Sequence, residues 1–304
     1  MSSVIKIENL CKSFGQIKAV DNLSFEVEEG KLFAFLGVNG AGKSTTISIM
    51  CGTLEKDQGK VFIDGADIDK DGESLKRKLG VVFQNSVLDK SLSVYDNLQS
   101  RASLYGIFGE EFKKRIDYLA ELLDFKPLYN RTVGRLSGGQ RRKIDVARAL
   151  VHFPKILILD EPTTGLDPQT RQTLWNVVDK FRKEQKMTVL LTTHYMEEAS
   201  DADYVVIIDG GKTVAEGTPV QLKNKYTSDY IYFYNSDDSE IAKLNLPFEK
   251  VGQATRVLVE STAKATQLIK EYPHLFVDYE ITKGKMDSVF LAVTGKSLSG
   301  GSDK

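Results

Sequence analysis

The chain is poor in cysteine, in long apolar runs and in net charge, and each shortage excludes a class of protein. Its two cysteines, Cys11 and Cys51, show no CxxC spacing and no nearby histidine, which excludes a disulfide framework and a zinc site and favours a reducing cytoplasm. Apolar runs such as 32–38 and 156–159 are far shorter than the roughly 20 residues of a membrane helix. The 41 basic and 42 acidic residues nearly cancel, so we expect no nucleic-acid partner.

The composition is that of a folded cytoplasmic protein. Hydrophobic residues make up 41% of the 304 residues, enough for one large domain and a small one. Residues 1–6 carry neither the basic cluster nor the apolar run of a secretory signal. The basic run 141–143 is balanced by acids across the chain, so we expect it to be the solvated face of a helix rather than a nucleic-acid site.

Short apolar segments alternate with helical patterns along most of the chain. The alternation predicts an α/β fold with a mostly parallel sheet covered on both faces, preceded by an antiparallel pair. Apolar residues at helical spacing between 92 and 123 predict a helical subdomain. The predicted strands cover residues 4–12, 18–27, 31–36, 59–63, 79–83, 156–160, 188–193 and 204–209.

The pattern of the sequence changes near residue 222. Two predicted strands, 256–260 and 275–281, flank a predicted helix, 262–272, which indicates a small α+β domain. The final residues, 295–304, are rich in Gly, Ser and Lys, a composition typical of disorder.

A glycine-rich sequence, Gly-Val-Asn-Gly-Ala-Gly-Lys-Ser-Thr, occupies 37–45 between a predicted strand and a predicted helix. The form GxxxxGK[ST] binds phosphate: glycines let backbone N–H groups converge, the lysine reaches the β- and γ-phosphates, and the serine hydroxyl meets Mg²⁺. The alternative is a fortuitous glycine turn. The candidate nucleotide-binding residues here are Gly37, Asn39, Gly40, Ala41, Gly42, Lys43, Ser44 and Thr45.

Two carboxylates and a histidine follow apolar strands. Asp160 and Glu161 end one such run, and His194 follows another. Ligands bind at the carboxyl ends of strands in open α/β sheets, so these side chains are candidates for one crevice. The alternatives are acids that reach solvent at a strand end and a histidine with a structural role.

A second glycine-rich sequence, Leu136-Ser137-Gly138-Gly139-Gln140, opens a predicted helix. Its backbone amides and serine hydroxyl offer an anion site without a lysine. With 37–45 before it and Ile-Leu-Ile-Leu-Asp-Glu-Pro at 156–162 after it, the sequence resembles the nucleotide-binding subunit of ATP-binding cassette (ABC) proteins over residues 4–222.

The resemblance implies a P-loop NTPase fold. It would comprise an N-terminal antiparallel β subdomain, a RecA-like parallel sheet core and a helical subdomain at about 86–150, all within an ATPase domain at 1–222. The C-terminal α+β domain would span 223–294, with a disordered tail at 295–304. ATP and Mg²⁺ are the implied ligands, and ATP hydrolysis is the implied reaction.

The resemblance also assigns roles near the phosphates. Asp160 and Ser44 would hold Mg²⁺, Glu161 would be the base that orients water, and Lys43 would contact the phosphates. His194 would hydrogen-bond the γ-phosphate as the family's switch histidine.

Three further positions match the family. Gln84 would sense Mg²⁺ and lead into the helical subdomain. Asp167 would lie in the loop that crosses a dimer interface, although an aspartate before Pro168 also suits a helix cap. Phe14 would stack on adenine, with a hairpin core residue as the alternative.

The implied partners are a second ATPase subunit and a membrane permease. In ABC proteins the signature loop, here Ser137, Gly138, Gly139 and Gln140, closes on the ATP of the other subunit, so a two-site homodimer or heterodimer is expected. Residues 287–295 look like the end of subunits that pair with ABC-2 type permeases, which favours export and a place on the cytoplasmic face of the membrane. A soluble ABC ATPase of translation or repair and a non-hydrolysing binding module are the alternatives.

Overall fold

The computed structural model describes residues 3–234 and 237–296. They form two compact units that divide between Val214 and Ala215. The predicted disordered tail lies outside the described residues from 297 onward. Within the described part of the chain, no helix combines the length and the apolar character that a membrane crossing needs.

The first unit is built on two sheets. Its strands are β1 (Ser3–Phe14), β2 (Ile17–Glu28), β3 (Leu32–Leu36), β4 (Gln58–Ile63), β5 (Ala66–Asp67), β6 (Leu79–Val82), β7 (Ile156–Asp160), β8 (Thr188–Thr193), β9 (Tyr204–Asp209) and β10 (Lys212–Gly217), whose last residues belong to the second unit. Its helices are α1 (Lys43–Met50), α2 (Ile68–Lys76), α3 (Val94–Ser103), α4 (Gly109–Leu122), α5 (Gly138–Leu150), α6 (Pro168–Gln185) and α7 (Met196–Ser200).

The two sheets differ in strand direction. One is antiparallel with the order β2-β1-β4-β5, and the other has the order β10-β9-β3-β8-β7-β6. In the second sheet the strands from β9 to β6 pair in parallel. The predicted antiparallel N-terminal pair and mostly parallel sheet are therefore confirmed.

The core of this unit lies where the two sheets meet. Every residue of β3, β7 and β8 is buried, because a parallel strand covered on both faces needs apolar side chains on both. The ring of Phe25 on β2 lies 5.1 Å from that of Phe33 and 5.2 Å from that of Phe35, both on β3. These contacts join the antiparallel sheet to one face of the parallel sheet.

Helices α3, α4 and α5 contact one another in the segment predicted to be helical. The α3 helix begins at Ser93, whose hydroxyl accepts the backbone N–H of Asp96, and α5 begins at Ser137 with a complete capping box. Such caps satisfy N–H groups that a helix start leaves without a partner. The last turn of α5 packs on β6, and so the helix that begins at the signature sequence rests on the parallel sheet.

The second unit is a small α+β unit. It contains α8 (Pro219–Tyr226), β11 (Asp229–Tyr234), α9 (Asp238–Ile241), β12 (Phe248–Val251), β13 (Ala254–Val259), α10 (Thr262–Glu271), β14 (Tyr279–Thr282) and α11 (Met286–Thr294). The antiparallel sheet has the order β12-β13-β11-β14. From β11 to β14 this is the split β-α-β-β-α-β arrangement, with a core that includes Phe233, Val257 and Leu268.

One strand boundary in this unit differs from the prediction. The predicted strand at 275–281 begins only at Tyr279, because Pro273 opens a 3₁₀ turn over Pro273–Leu275. That turn places Leu275 in the core of the unit. The apolar side chain that suggested a strand is thus buried in the core, although its backbone belongs to a turn.

Gly80 on β6 is required for close packing of α5. A Cβ atom added there would collide with the carbonyl oxygen of Ala149 and approach Cγ of Pro154 to 2.8 Å. We expect Gly80→Ala to lower the free energy of unfolding by about 1–3 kcal/mol, the usual cost of overpacking a core. Urea denaturation measures it. The control is Gly72→Ala on α2, where no atom lies within 4 Å of the added Cβ; equal stability of the two variants would contradict this account.

Candidate nucleotide site

The glycine-rich loop 37–45 leaves the carboxyl end of β3 and enters α1. At Gly42 the backbone is left-handed, with φ 107°, and an added Cβ would collide with the carbonyl oxygen of Ala19. Only glycine suits such a position. The first N–H groups of α1 therefore stay unobstructed at the positive end of the helix dipole, which is an arrangement for binding anions.

A cavity of about 460 Å³ opens at this loop. Phe14 at its rim is 50% exposed, so the alternative that it is a hairpin core residue is wrong. Gly37 and Ala41 are buried within the loop itself. The residues that line the cavity are Phe14, Ala19, Asn39, Gly40, Gly42, Lys43, Ser44, Thr45, Gln84 and Glu161.

Lys43 places a buried cation inside the loop. Its side chain is folded back so that Nζ donates to the carbonyl oxygen of Gly37 at 2.7 Å and to that of Val38 at 3.2 Å. The residue is only 5% exposed. Burial lowers the pKa of Lys43, while the carboxylates of Glu161 and Asp160 act in the opposite direction. Both groups to which Nζ donates are neutral carbonyls. A phosphate in the cavity would give this ammonium a negatively charged acceptor.

Asp160 joins the loop to the neighbouring strands. Its Oδ2 accepts from the hydroxyl of Ser44 at 3.2 Å, and its Oδ1 accepts from the hydroxyl of Thr192, at the end of β8, at 2.5 Å. Asp160 is buried, and both of its carboxylate oxygens accept a hydrogen bond from a hydroxyl group. The alternative that this acid simply reaches solvent is therefore wrong for Asp160.

Side chains from three segments contact the carboxylate of Glu161. Its Oε2 accepts from Nε2 of Gln84 at 3.2 Å and from the hydroxyl of Thr164 at 3.4 Å, and it lies 3.4 Å from Nδ1 of His194. The backbone N–H of Glu161 donates to the carbonyl oxygen and to the hydroxyl of Thr192, both at 3.1 Å. The carboxylate is thus held at the cavity wall, close to the loop and to the histidine.

The backbone of Glu161 is left-handed, with φ 46°. This conformation costs free energy for a residue with a side chain, and it persists only where surrounding contacts impose it. The two hydrogen bonds that the Glu161 N–H donates to Thr192 supply part of that restraint. The turn after β7 is therefore a place where tertiary contacts decide where a functional side chain lies.

The signature residues and Asp167 lie away from this cavity. Ser137 and Gln140 cap each other: the Ser137 hydroxyl accepts the Gln140 N–H at 3.2 Å, and Oε1 of Gln140 accepts the Ser137 N–H at 3.1 Å. Gly138 lines a second cavity of about 180 Å³. The structure thus places two separate candidate anion-binding surfaces in one chain.

Asp167 caps α6. Its Oδ1 accepts the backbone N–H of Thr170 at 2.9 Å and its Oδ2 accepts the hydroxyl of the same residue at 2.7 Å. These bonds lower the pKa of Asp167. Asp167 also lies beside the signature, since an added Cβ at Gly139 would be 3.5 Å from its Oδ2. The capping interpretation describes its contacts within the chain, and a role at an interface stays a prediction.

Arg142 corrects the expectation that 141–143 is a solvated helix face. It is 8% exposed, and its guanidinium donates to four backbone carbonyls, three at the carboxylate turn and one at the strand end before Gln84. The bonds run from Nε to Pro162 at 2.6 Å, from Nη1 to Phe83 at 2.6 Å, and from Nη2 to Glu161 at 2.7 Å and Asp160 at 3.2 Å. One planar side chain on α5 therefore holds both the Glu161 turn and the strand end before Gln84.

A signal for this role is present in the sequence. Arg142 lies four residues before Val146 and seven before Ala149, and all three are on the buried face of α5. That spacing marks one side of a helix. The charge of the run 141–143 obscures the pattern, because arginine and lysine most often remain in solvent.

This geometry, with a phosphate loop, two strand-end carboxylates and a signature helix on a parallel sheet, defines an ATP-binding cassette. The family model for ABC transporters matches residues 20–164. The chain is 33% identical to a Nod factor export ATP-binding protein I of Ralstonia nicotianae, over 97% of this chain and 95% of that protein. It is also 33% identical to the linearmycin resistance ATP-binding protein LnrL of Bacillus subtilis, over 97% and 99%. The chain belongs to the ABC transporter family.

Solved structures agree with this assignment. The ATP-binding subunit of an ABC transporter aligns with a TM-score of 0.69 and 26% identity over 74% of this chain and 93% of that one. A dimeric ATP-binding cassette in a post-hydrolysis state with ADP and Pi aligns with a TM-score of 0.65 and 28% identity over 71% of this chain and 98% of that one. The predicted cassette fold and family are confirmed.

Arg142→Lys tests whether the guanidinium group of Arg142 is needed to hold the four backbone carbonyls. An ammonium group cannot reach all four carbonyls, and we expect the free energy of unfolding to fall by about 1–3 kcal/mol, the cost of leaving a buried acceptor without a donor. The matched control is Arg115→Lys, which removes one bond to the carbonyl of Val151 and an exposed pair with Glu111. Urea denaturation compares them, and a larger loss in the control would refute the account.

Proposed function

We propose that this chain is the ATP-binding and ATP-hydrolysing subunit of an exporter, acting as a two-site dimer beside a separate membrane permease. The observation that carries the proposal is the convergence of Lys43, Ser44, Asp160, Glu161 and His194 at one edge of the parallel sheet. Family membership and relatives described as export and resistance ATP-binding proteins support it.

The loop binds the phosphates of ATP. Backbone N–H groups at the start of α1 donate to phosphate oxygens, and the ammonium of Lys43 leaves its two loop carbonyls to contact the β- and γ-phosphates. Phe14, exposed at the rim, provides an aromatic face for adenine. Stacking of a base on an aromatic side chain is worth about 1–3 kcal/mol.

The oxygen donors near the loop fit Mg²⁺. The hydroxyl of Ser44 and the carboxylate of Asp160 already lie 3.2 Å apart, and Mg²⁺ prefers a few such oxygens together with substrate phosphates. Among the described residues there is no group of three or more His, Cys, Asp or Glu side chains that could hold a metal alone. When bound, the ion neutralises charge on the phosphates.

Glu161 acts as the base for water. Gln84 and Thr164 hold its carboxylate by hydrogen bonds, so it is oriented before water arrives. His194 lies 3.4 Å from that carboxylate, and its proposed role is to hydrogen-bond the γ-phosphate. Gln84 links the site to the helical segment, because its side chain donates to Glu161 and its backbone lies between β6 and α3.

A second copy completes each site. The signature residues and Asp167 do not line the cavity that contains Lys43, so the second anion-binding surface of one chain is free to close on the nucleotide of another. A dimeric cassette with ADP and Pi is among the similar solved structures. ATP at the interface favours the closed dimer by mass action, and hydrolysis releases it.

The chain works at the cytoplasmic face of a membrane, through an ABC-2 type permease that supplies the path for the exported compound. Two relatives that align over nearly their whole length are described as an export and a resistance ATP-binding protein. These descriptions favour this function over a soluble ATPase of translation or repair. The intact Lys43, Asp160, Glu161 and His194 disfavour a non-hydrolysing binding module.

The first test is ATP hydrolysis by the purified chain, compared with Glu161→Gln. The wild type should release phosphate in the presence of Mg²⁺, and the variant should be slower by about 100-fold or more, the scale of general-base catalysis. ATP affinity should persist, so an ATP-bound dimer should accumulate on size-exclusion chromatography.

The control for that variant is Glu197→Gln, an exposed glutamate on α7. It should hydrolyse ATP like the wild type. Wild-type turnover in Glu161→Gln would remove Glu161 as the base, and absence of hydrolysis in every sample, with and without the permease, would refute the proposed function.

Lys43→Ala tests phosphate binding by the loop. Loss of the buried ammonium should abolish tight MgATP binding, because no other side chain in the loop carries a positive charge. Titration calorimetry measures the affinity. Lys183→Ala, at an exposed position of α6, should bind as the wild type does, whereas unchanged affinity in Lys43→Ala would contradict the role of this lysine.

A further inference from the structure

A buried carboxylate on α7, outside the nucleotide cavity, holds two of the segments that form it. Glu198 is 6% exposed and accepts three hydrogen bonds. The hydroxyl of Thr163 donates to Oε1 at 2.5 Å, the hydroxyl of Thr193 donates to Oε2 at 2.6 Å, and Nε1 of Trp175 donates to Oε1 at 3.3 Å. All three donors are neutral groups.

The two threonines belong to the functional segments. Thr163 follows Glu161 by two residues, and Thr193 immediately precedes His194. The hydroxyl of Thr193 also accepts the backbone N–H of Tyr195 at 2.9 Å, so it restrains the chain on both sides of the histidine. A single side chain thus connects the turn that carries Glu161 to the strand end that carries His194.

This connection differs from the direct contact between the two side chains. Glu161 and His194 lie 3.4 Å apart, and His194 is partly exposed, so that contact joins the two side chains and not the backbone segments that carry them. Glu198 and its two threonines are buried and act on the backbone segments. Buried hydrogen bonds to a charged acceptor are stronger than neutral ones, and they hold geometry where loops would otherwise move.

We infer that Glu198 is a positioning residue for hydrolysis. It sets the separation of the Glu161 and His194 segments through Thr163 and Thr193 without touching ATP. The inference rests on the proposed ATPase function. It implies that loss of this carboxylate lowers kcat while nucleotide affinity, which depends on the loop 37–45, is kept.

The test compares Glu198→Ala with Glu197→Ala, its exposed neighbour on α7. We expect Glu198→Ala to lower kcat by about 10-fold to 100-fold, since a misplacement of about 1 Å in a catalytic group can cost about 100-fold. The KM for ATP and the affinity for MgADP should stay within about twofold, as expected when ground-state binding is intact. Glu198→Gln, which keeps the shape and one acceptor oxygen, should fall between Glu198→Ala and the wild type.

Trp175 provides a readout that is independent of activity. It is the single tryptophan of the chain, and its indole donates to Glu198. Glu198→Ala removes this bond, so the emission spectrum of the folded variant should shift, whereas that of Glu197→Ala should match the wild type. An unchanged spectrum in folded Glu198→Ala would contradict the contact.

The outcomes separate this inference from the proposed function. Wild-type kcat in folded Glu198→Ala, or a loss of affinity as large as the loss of kcat, overturns the positioning role. If Glu198→Ala fails to fold, Thr163→Val removes one of the bonds with little change of shape, and a folded Thr163→Val with wild-type kcat overturns the role equally. Absence of hydrolysis in the wild type and Glu197→Ala refutes the proposed function, and this inference with it.

Discussion

Three parallel strands, β3, β7 and β8, lie side by side and end at one edge of the sheet. The candidate nucleotide site depends on this register. It places the glycine-rich loop after β3, Asp160 and Glu161 at the end of β7, and His194 after β8 within hydrogen-bonding reach of one another. The strands can lie together because every residue in them is buried, and this burial provides the hydrophobic driving force for the arrangement.

Around that edge, side chains outside the cavity hold its backbone in place. Arg142 gathers four carbonyl oxygens near the carboxylate turn, and Thr192 binds both Asp160 and the N–H of Glu161. Glu198 joins the Glu161 and His194 segments from another side. These groups explain how the left-handed backbone at Glu161 is maintained.

The two candidate anion-binding surfaces of the chain differ in the groups that they offer to an anion. The loop 37–45 carries its own cation, Lys43, and forms one wall of a cavity. The signature helix starts with a capping box that uses the Ser137 hydroxyl internally, and it adds backbone dipole rather than a lysine. In a dimer, the loop of one copy and the signature helix of the other would both contact the same nucleotide. The capping box holds the start of that helix in place, so a partner could present it as a rigid element.

Sequence alone determined the parallel sheet and the family and predicted most residues of the candidate site, because uniform apolar runs, glycine spacing and strand-end carboxylates are local patterns. It did not reveal Arg142 or Glu198. The helical spacing that places Arg142 on the buried face of α5 is obscured by the charge of the run 141–143, and the carbonyls that it binds at Phe83 and Pro162 lie far away in the chain. The partners of Glu198 include Thr163, 35 residues before it. The predicted start of β14 was wrong because Leu275 lies in a turn although its apolar side chain is part of the core. Tertiary structure decided these positions because each one depends on contacts with residues that are distant in the chain.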